Sequence, residues 1–276
     1  RAFKKLKSNR LAVIGLIFVL ATIFISIFAP LFTKYNPQKV DLRNMLKPPS
    51  AEHILGTDKI GRDVFARIIY GGRISILVGL GSALGAALIG VSIGAYTGYR
   101  GGWWDSIFLR ISEIVMSFPQ IILVLLLVTI LGQSLMNLII IFTFTGWGSL
   151  YRMTRAQMLS LREEEYVQAL RAFGLSRARI CFKHILPNAL GPIMVNITLS
   201  TAMFILQEAG LSFLGLGVPL NIPTWGNILN VAQDLRILQN YWWVWLPSGI
   251  TISLFVLAIN FVGDGLRDST DPTLQG

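Results

Sequence analysis

Long apolar runs separated by short polar punctuation dominate this chain. A helix that crosses a bilayer takes about 20 mostly apolar residues, and six stretches approach that requirement: Leu11–Phe32, Ile74–Tyr96, Ile107–Leu131, the shorter Leu135–Leu150, Ala189–Leu214 and Trp242–Val262. The pattern therefore predicts an all-α polytopic membrane protein with six transmembrane helices. The first run is too long for the core of a signal peptide and no small-residue cleavage pattern follows it, so it reads as a retained helix. The chain opens at Arg1 without a methionine, and a short preceding piece is expected.

Composition agrees with that class. Of the 276 residues 53% are hydrophobic and 14% charged, against about 25% charged in an ordinary soluble domain. The net charge of +10 does not point to nucleic acid, because the basic residues flank apolar runs as cytoplasmic membrane edges require. Arg1, Lys4, Lys5, Lys7 and Arg10 precede the first run. Keeping them inside puts both termini in the cytoplasm, and with them the loop Arg152–Asn188, which carries seven basic residues from Arg152 to Lys183. The outer segment Gly215–Tyr241 holds only Asp234 and Arg236. Thr33–Arg73 fits the rule less well: it should be external yet carries eight Lys or Arg, offset by Asp41, Glu52, Asp58 and Asp63. The expected organisation is an N-terminal helix with an external arm over residues 1–73, followed by a helical membrane domain over 74–276.

Several residues stand out against the apolar background. Ala86, Gly90, Gly94 and Gly98 recur every fourth residue, with Gly81 and Gly85 at the same spacing. Such a stripe lets helix backbones approach closely, either within the chain or at an interface with a second subunit. Glu113 lies one turn from Arg110 and is expected to pair with it. Glu208, inside the fifth apolar run, is a candidate to line a translocation path or to cap a helix of a partner subunit, since a carboxylate in a membrane is costly to desolvate. Trp242, Trp243 and Trp245 read as an interfacial aromatic belt. The lone Cys181 and the two distant histidines, His53 and His184, exclude a disulfide framework and predict no metal site. No Gly-rich phosphate loop ending in Lys-Ser or Lys-Thr occurs, so the chain is not expected to bind ATP, and no nucleophile elbow or zinc-protease motif marks an enzyme.

The loop Arg152–Asn188 is the most informative segment. Leu150–Arg171 contains neither Gly nor Pro and predicts a helix. Gly174 suits a left-handed helix end, Ser176 an N-cap, and Pro187 the end of a second helix. One face of this helix–turn–helix is expected to offer Ala169, Ala172, Phe173 and Ile180, the other arginines. A hairpin with an apolar knob suits a partner's groove, while a basic loop on anionic lipid is the plainer alternative.

The segment resembles the coupling, or EAA, loop of ABC importer permeases. Gln168-Ala169-Leu170, Gly174 and Leu186-Pro187 occupy the places of the family's Glu-Ala-Ala, Gly and Leu-Pro, with Gln168 and Leu170 departing from it. His184–Asn188 matches the variant of peptide importers. The likeness runs along nearly the whole chain through His53–Asp58 with Gly61–Asp63, Gly98–Asp105, Ser212–Gly217 with Pro223–Gly226, and Asn260 with Gly263–Asp268 and Asp271-Pro272. Ser248 stands where the family usually has Gly.

The resemblance identifies a C-type permease subunit of a bacterial dipeptide or oligopeptide ABC importer. It implies the type I importer fold in the bacterial inner membrane, and a heterodimer with a homologous second permease. It also implies two ATPase subunits that hold the ATP and magnesium, and an external substrate-binding protein. Gln168, Ala169, Leu170, Ala172, Phe173, Gly174, Ser176, Leu186 and Pro187 would then couple to the ATPase. The arm Thr33–Arg73 is expected to touch the binding protein or the partner. Sister importers of nickel, glutathione or oligosaccharides, and an ion-driven secondary transporter, are the alternative readings.

Overall fold

The computed structural model describes residues 9–270; the N-terminal basic cluster up to Lys7 and the Asp271-Pro272 pair lie outside them. Among the described residues eleven helices follow in order: α1 (Arg10–Ile27), α2 (Ala29–Phe32), α3 (Val64–Arg100), α4 (Trp103–Ser117), α5 (Gln120–Leu131), α6 (Leu135–Leu161), α7 (Glu165–Ala172), α8 (Arg177–Phe213), α9 (Trp225–Leu229), α10 (Leu235–Asn240) and α11 (Trp242–Thr270). Among the described residues α1, α3, α8 and α11 are long and apolar enough to cross a membrane, and the bent pair α4–α5 makes a fifth if it is one span.

The expected six spans are thus not all met by length and apolarity. α6 has 27 residues, but Thr143, Thr145, Gly146, Gly148 and Ser149 dilute its apolar half. It tolerates them because it packs along α3 more extensively than any other helix pair does, with Thr145, Trp147 and Gly148 buried. The span expected over Ile107–Leu131 is broken at Phe118-Pro119, where α4 and α5 meet at 86°. Pro119 cannot donate a helical hydrogen bond and pushes its predecessor out of the helical region; Phe118 is extended at φ −87°, ψ 138°. The boundary expected at residue 73 falls inside α3, which begins at Val64.

The small-residue stripe lies inside the chain. A Cβ added to Gly90 would meet the Trp147 carbonyl oxygen at 2.6 Å, one on Gly94 the Tyr151 carbonyl oxygen at 2.6 Å, and one on Gly98 the Arg155 carbonyl oxygen at 3.0 Å. The stripe is the contact between α3 and α6, where close backbones gain dispersion contacts that lipid cannot supply. A core of Val78, Ala86, Leu138, Phe142, Leu150, Tyr151 and Phe204 continues this seam.

The arm between α2 and α3 is tightly folded. Asp58 accepts from the Nε of Arg62 at 2.7 Å and from Arg67 at 3.0 Å. Asp63 caps α3 by accepting from the Ala66 N–H at 2.7 Å and binds His53 Nδ1 at 2.9 Å. Arg73 donates to the carbonyls of Ser26 and Ile27 at the end of α1, where the helix dipole favours a cation. Arg62, Arg67 and Arg73, three of the arm's eight basic residues, are therefore engaged internally.

Gly215–Tyr241, expected as an outer loop, is not a plain loop. It holds α9, a 3₁₀ turn and α10, and it drives Trp225 into the bundle, 1% exposed, with its indole N–H donating to the Ile68 carbonyl at 3.0 Å. Ser248, the departure from the family's Gly, donates to the Trp225 carbonyl at 2.8 Å.

Candidate coupling site

The hairpin at the end of α6 is built in three steps. α6 frays at Arg162–Glu164 and restarts as α7, so the helix expected over Leu150–Arg171 is two helices. α7 ends at Gly174, whose φ of +76° is left-handed. The Leu175 N–H donates to the Leu170 carbonyl at 3.3 Å and the Gly174 N–H to the Arg171 carbonyl at 2.9 Å. This paired closure satisfies the last carbonyls of a helix, and Leu170 and Leu175 pack together against one cluster. A Cβ on Gly174 would meet nothing within 4 Å, so backbone conformation alone demands glycine there.

After the turn α8 starts at Arg177. Ser176 sits at the N-cap position with extended backbone, but its side chain makes no capping hydrogen bond. Pro187 does not end a second helix as its sequence position predicts: α8 runs on unbroken to Phe213. The reason is a stretch of π-helix over Ile180–Ile185, in which the Leu186 N–H reaches back to the Cys181 carbonyl. The wider turn places Pro187 at the start of renewed α-helix, where its missing donor costs little, and Leu186 keeps helical geometry at φ −55°, ψ −40°.

The hairpin is keyed to the bundle by Val167, Ile180, Cys181 and Ile185, all buried against Ala95, Tyr99 and Met158. Ile180 thus belongs to the inner side and not to the exposed knob. Cys181 donates its thiol to the Ala95 carbonyl at 3.4 Å. Beneath the hairpin Arg155 of α6 grips Asp105 of α4 with two bonds of 2.6 Å.

The outer side is what a partner would meet. Gln168, Ala169, Ala172, Phe173, Gly174, Ser176 and Pro187 are exposed, and Leu170 and Leu186 half-buried. Phe173 is 81% exposed at the tip, next to the left-handed turn at Gly174. The ring is a large apolar group left exposed among charged neighbours.

Glu208 sits elsewhere. It is 0% exposed, accepting from Ser75 of α3 at 3.0 Å and from Ser212 at 2.6 Å; Ser75 in turn accepts from the Trp225 N–H at 3.1 Å. In this arrangement the carboxyl ties α3, α8 and α9 together. Glu113 pairs with Arg110 at 2.9 Å on the surface. Among the described residues no cluster of His, Cys, Asp or Glu could hold a metal.

These features define a multi-pass helical membrane protein with a helical hairpin packed on the end of its bundle. Residues 90–276 match the family model of the binding-protein-dependent transport system inner membrane component, and residues 1–49 the N-terminal transmembrane domain of oligopeptide transport permease C. The dipeptide transport system permease protein DppC of Alkalihalophilus pseudofirmus is 44% identical over 99% of this chain and 90% of its own length. The oligopeptide transport system permease protein OppC of Bacillus subtilis is 42% identical over 99% of this chain and 89% of its own. In fold the chain resembles a chain of the inward-facing MetNI methionine ABC transporter, with a TM-score of 0.55 at 19% identity, covering 74% of this chain and 95% of that one. The chain belongs to the family of binding-protein-dependent transport system inner membrane components. It is a permease component rather than an enzyme.

Proposed function

We propose that the chain is the transmembrane permease subunit of an ATP-driven importer that moves peptides into the cell. The near full-length likeness to dipeptide and oligopeptide permeases supports the substrate class. The observation that carries the mechanism is the hairpin: a closed turn with an exposed phenylalanine at its tip, buried on its inner side and continuous with a long apolar helix.

In this reading both termini and the hairpin face the cytoplasm and α6 crosses the membrane as the sixth span. Residues 1–73 form a helix and external arm beside the permease domain. A homologous permease completes the path. Two ATPase subunits, which hold the ATP and magnesium, receive Ala169, Ala172 and Phe173 with the rest of the hairpin tip. A substrate-binding protein delivers peptide from outside, where the arm is available to meet it. Closure of the ATPases on ATP pulls the hairpin, and the permease pair moves between inward- and outward-facing states through the differing contacts each state makes.

Single cysteines at Ala169, Ala172 and Phe173 in a Cys181→Ser background test this directly. Position-specific cross-links to a co-expressed ATPase subunit that change with nucleotide are the expected result. With the ATPase present and folded, a lack of links at all three positions would sink the assignment.

A further inference from the structure

On its inner flank the hairpin encloses a cleft of about 510 Å³ that the coupling reading does not use. Tyr99 and Arg100 at the end of α3, Arg162 and Glu163 after α6, Arg171 of α7 and Arg177 of α8 line it. Four guanidinium groups thus face one space with a single carboxylate among them. Arginine stays protonated at any physiological pH, so the cleft carries an excess of positive charge that favours an anion.

The existing bonds leave most of the donors unspent. Each guanidinium has five N–H groups. Arg171 reaches the Tyr99 hydroxyl and the Arg162 carbonyl only at 3.3 Å each, and lies over the Tyr99 ring at 5.3 Å. Arg162 takes Glu163 at 2.8 Å and the Gly98 carbonyl at 3.3 Å. Arg100 donates to the Tyr96 hydroxyl at 2.8 Å, and the Arg177 side chain has no hydrogen-bond or ion-pair partner among the described residues. Planar forks of this kind match the oxygens of a phosphate group.

The residues that follow Arg100 suit a lipid headgroup. Gly101 and Gly102 follow Arg100, and then Trp103 and Trp104, 70% and 47% exposed, at the position where tryptophans anchor at the membrane–water boundary. Basic pockets between helices on the cytoplasmic side bind acidic headgroups.

We propose that this cleft binds a phosphate-bearing anion: the headgroup of an acidic phospholipid, or free phosphate. The bound anion bridges the ends of α3 and α6 to both limbs of the hairpin and so sets its stiffness. The proposal rests on the cytoplasmic placement of the hairpin argued above.

The test uses the full chain, purified with its co-expressed partners, in nanodiscs of phosphatidylcholine with or without phosphatidylglycerol. The Arg100→Gln/Arg177→Gln double variant alters two cleft side chains whose only named side-chain bond is to Tyr96. Arg152→Gln/Arg179→Gln, exposed and outside the cleft lining, is the control. Native mass spectrometry should find one more phosphatidylglycerol retained per chain in wild type and control than in the cleft variant. If free phosphate is the ligand, labelled inorganic phosphate should instead bind in phosphatidylcholine discs, at least tenfold more weakly to the cleft variant. Equal lipid retention with equal or absent phosphate binding would overturn the proposal, as would a control that loses as much as the cleft variant. Cross-linking of Phe173→Cys to the ATPase, read separately, reports on the coupling assignment whichever way the lipid result falls.

Discussion

Arg155 holds Asp105 in a two-pronged grip, Nε to one carboxylate oxygen and a terminal nitrogen to the other, both at 2.6 Å. The two residues lie 50 positions apart and lock the start of α4 to the far end of α6, directly under the hairpin. Lysine offers a point charge and no fork. Arg155→Lys should therefore destabilise the protein by about 2 kcal/mol, below the full cost of a deeply buried orphaned charge. Thermal unfolding in detergent should show it as a fall of on the order of 5 °C.

Gly174→Ala isolates backbone strain, because the space around the glycine is open. Forcing an alanine to a φ of +76° costs about 1–2 kcal/mol. The chain should still reach the membrane, with ATP hydrolysis partly freed from uptake. Gly174→Pro is more severe, since proline can neither reach that φ nor donate to Arg171. The ratio of ATP hydrolysed to peptide accumulated in proteoliposomes measures both.

Phe173→Ala removes an exposed ring and should leave the melting temperature unchanged. If the ring is buried in the ATPase, its loss forfeits about 1.5–3 kcal/mol, a weakening of association on the order of ten- to a hundredfold. Ala172→Arg should uncouple by bulk and charge at the same surface. Surface-plasmon titration of the isolated ATPase against nanodisc-held permease reads the difference.

Gly94→Val attacks the seam between α3 and α6. Its first added carbon would lie 2.6 Å from the Tyr151 carbonyl oxygen, so the helices must part or the chain misassemble. The cost should exceed the roughly 1–3 kcal/mol of ordinary overpacking, and fluorescence-detected size exclusion should show loss of the monodisperse peak. Gly174→Ala would keep that peak, which separates a seam defect from a hairpin defect.

The sequence made the seam legible by its four-residue spacing, and it made the turn legible through Gly174, because both depend on local chemistry. Where one hydrogen-bonding pattern gave way to another, local chemistry misled. Pro187 reads as a helix end unless the preceding turn is π-wound, and nothing in Ile180–Ile185 announces that winding. Pro119 did carry its signal, but the apolar residues on either side masked it as a continuous span. Ile180 reads as part of the exposed face by its place beside Ala169, Ala172 and Phe173, whereas tertiary packing buries it with Ala95, Tyr99 and Met158. The environment of Glu208 depends on Ser75 and Trp225, far away in the chain, and no spacing rule reaches that far. The four arginines of the cleft come from four separate elements and gather only in three dimensions.

The π-wound passage through Pro187 has a mechanical consequence. Because helix persists from Arg177 to Phe213 over 37 residues, at about 1.5 Å per residue it forms a strut of roughly 55 Å. A loop at Pro187 would have acted as a slack joint, absorbing any push at the hairpin. With a strut in its place, each degree of tilt about one end carries the other through about 1 Å, so that tilting at the hairpin is passed on to the far end of the helix beside Trp225.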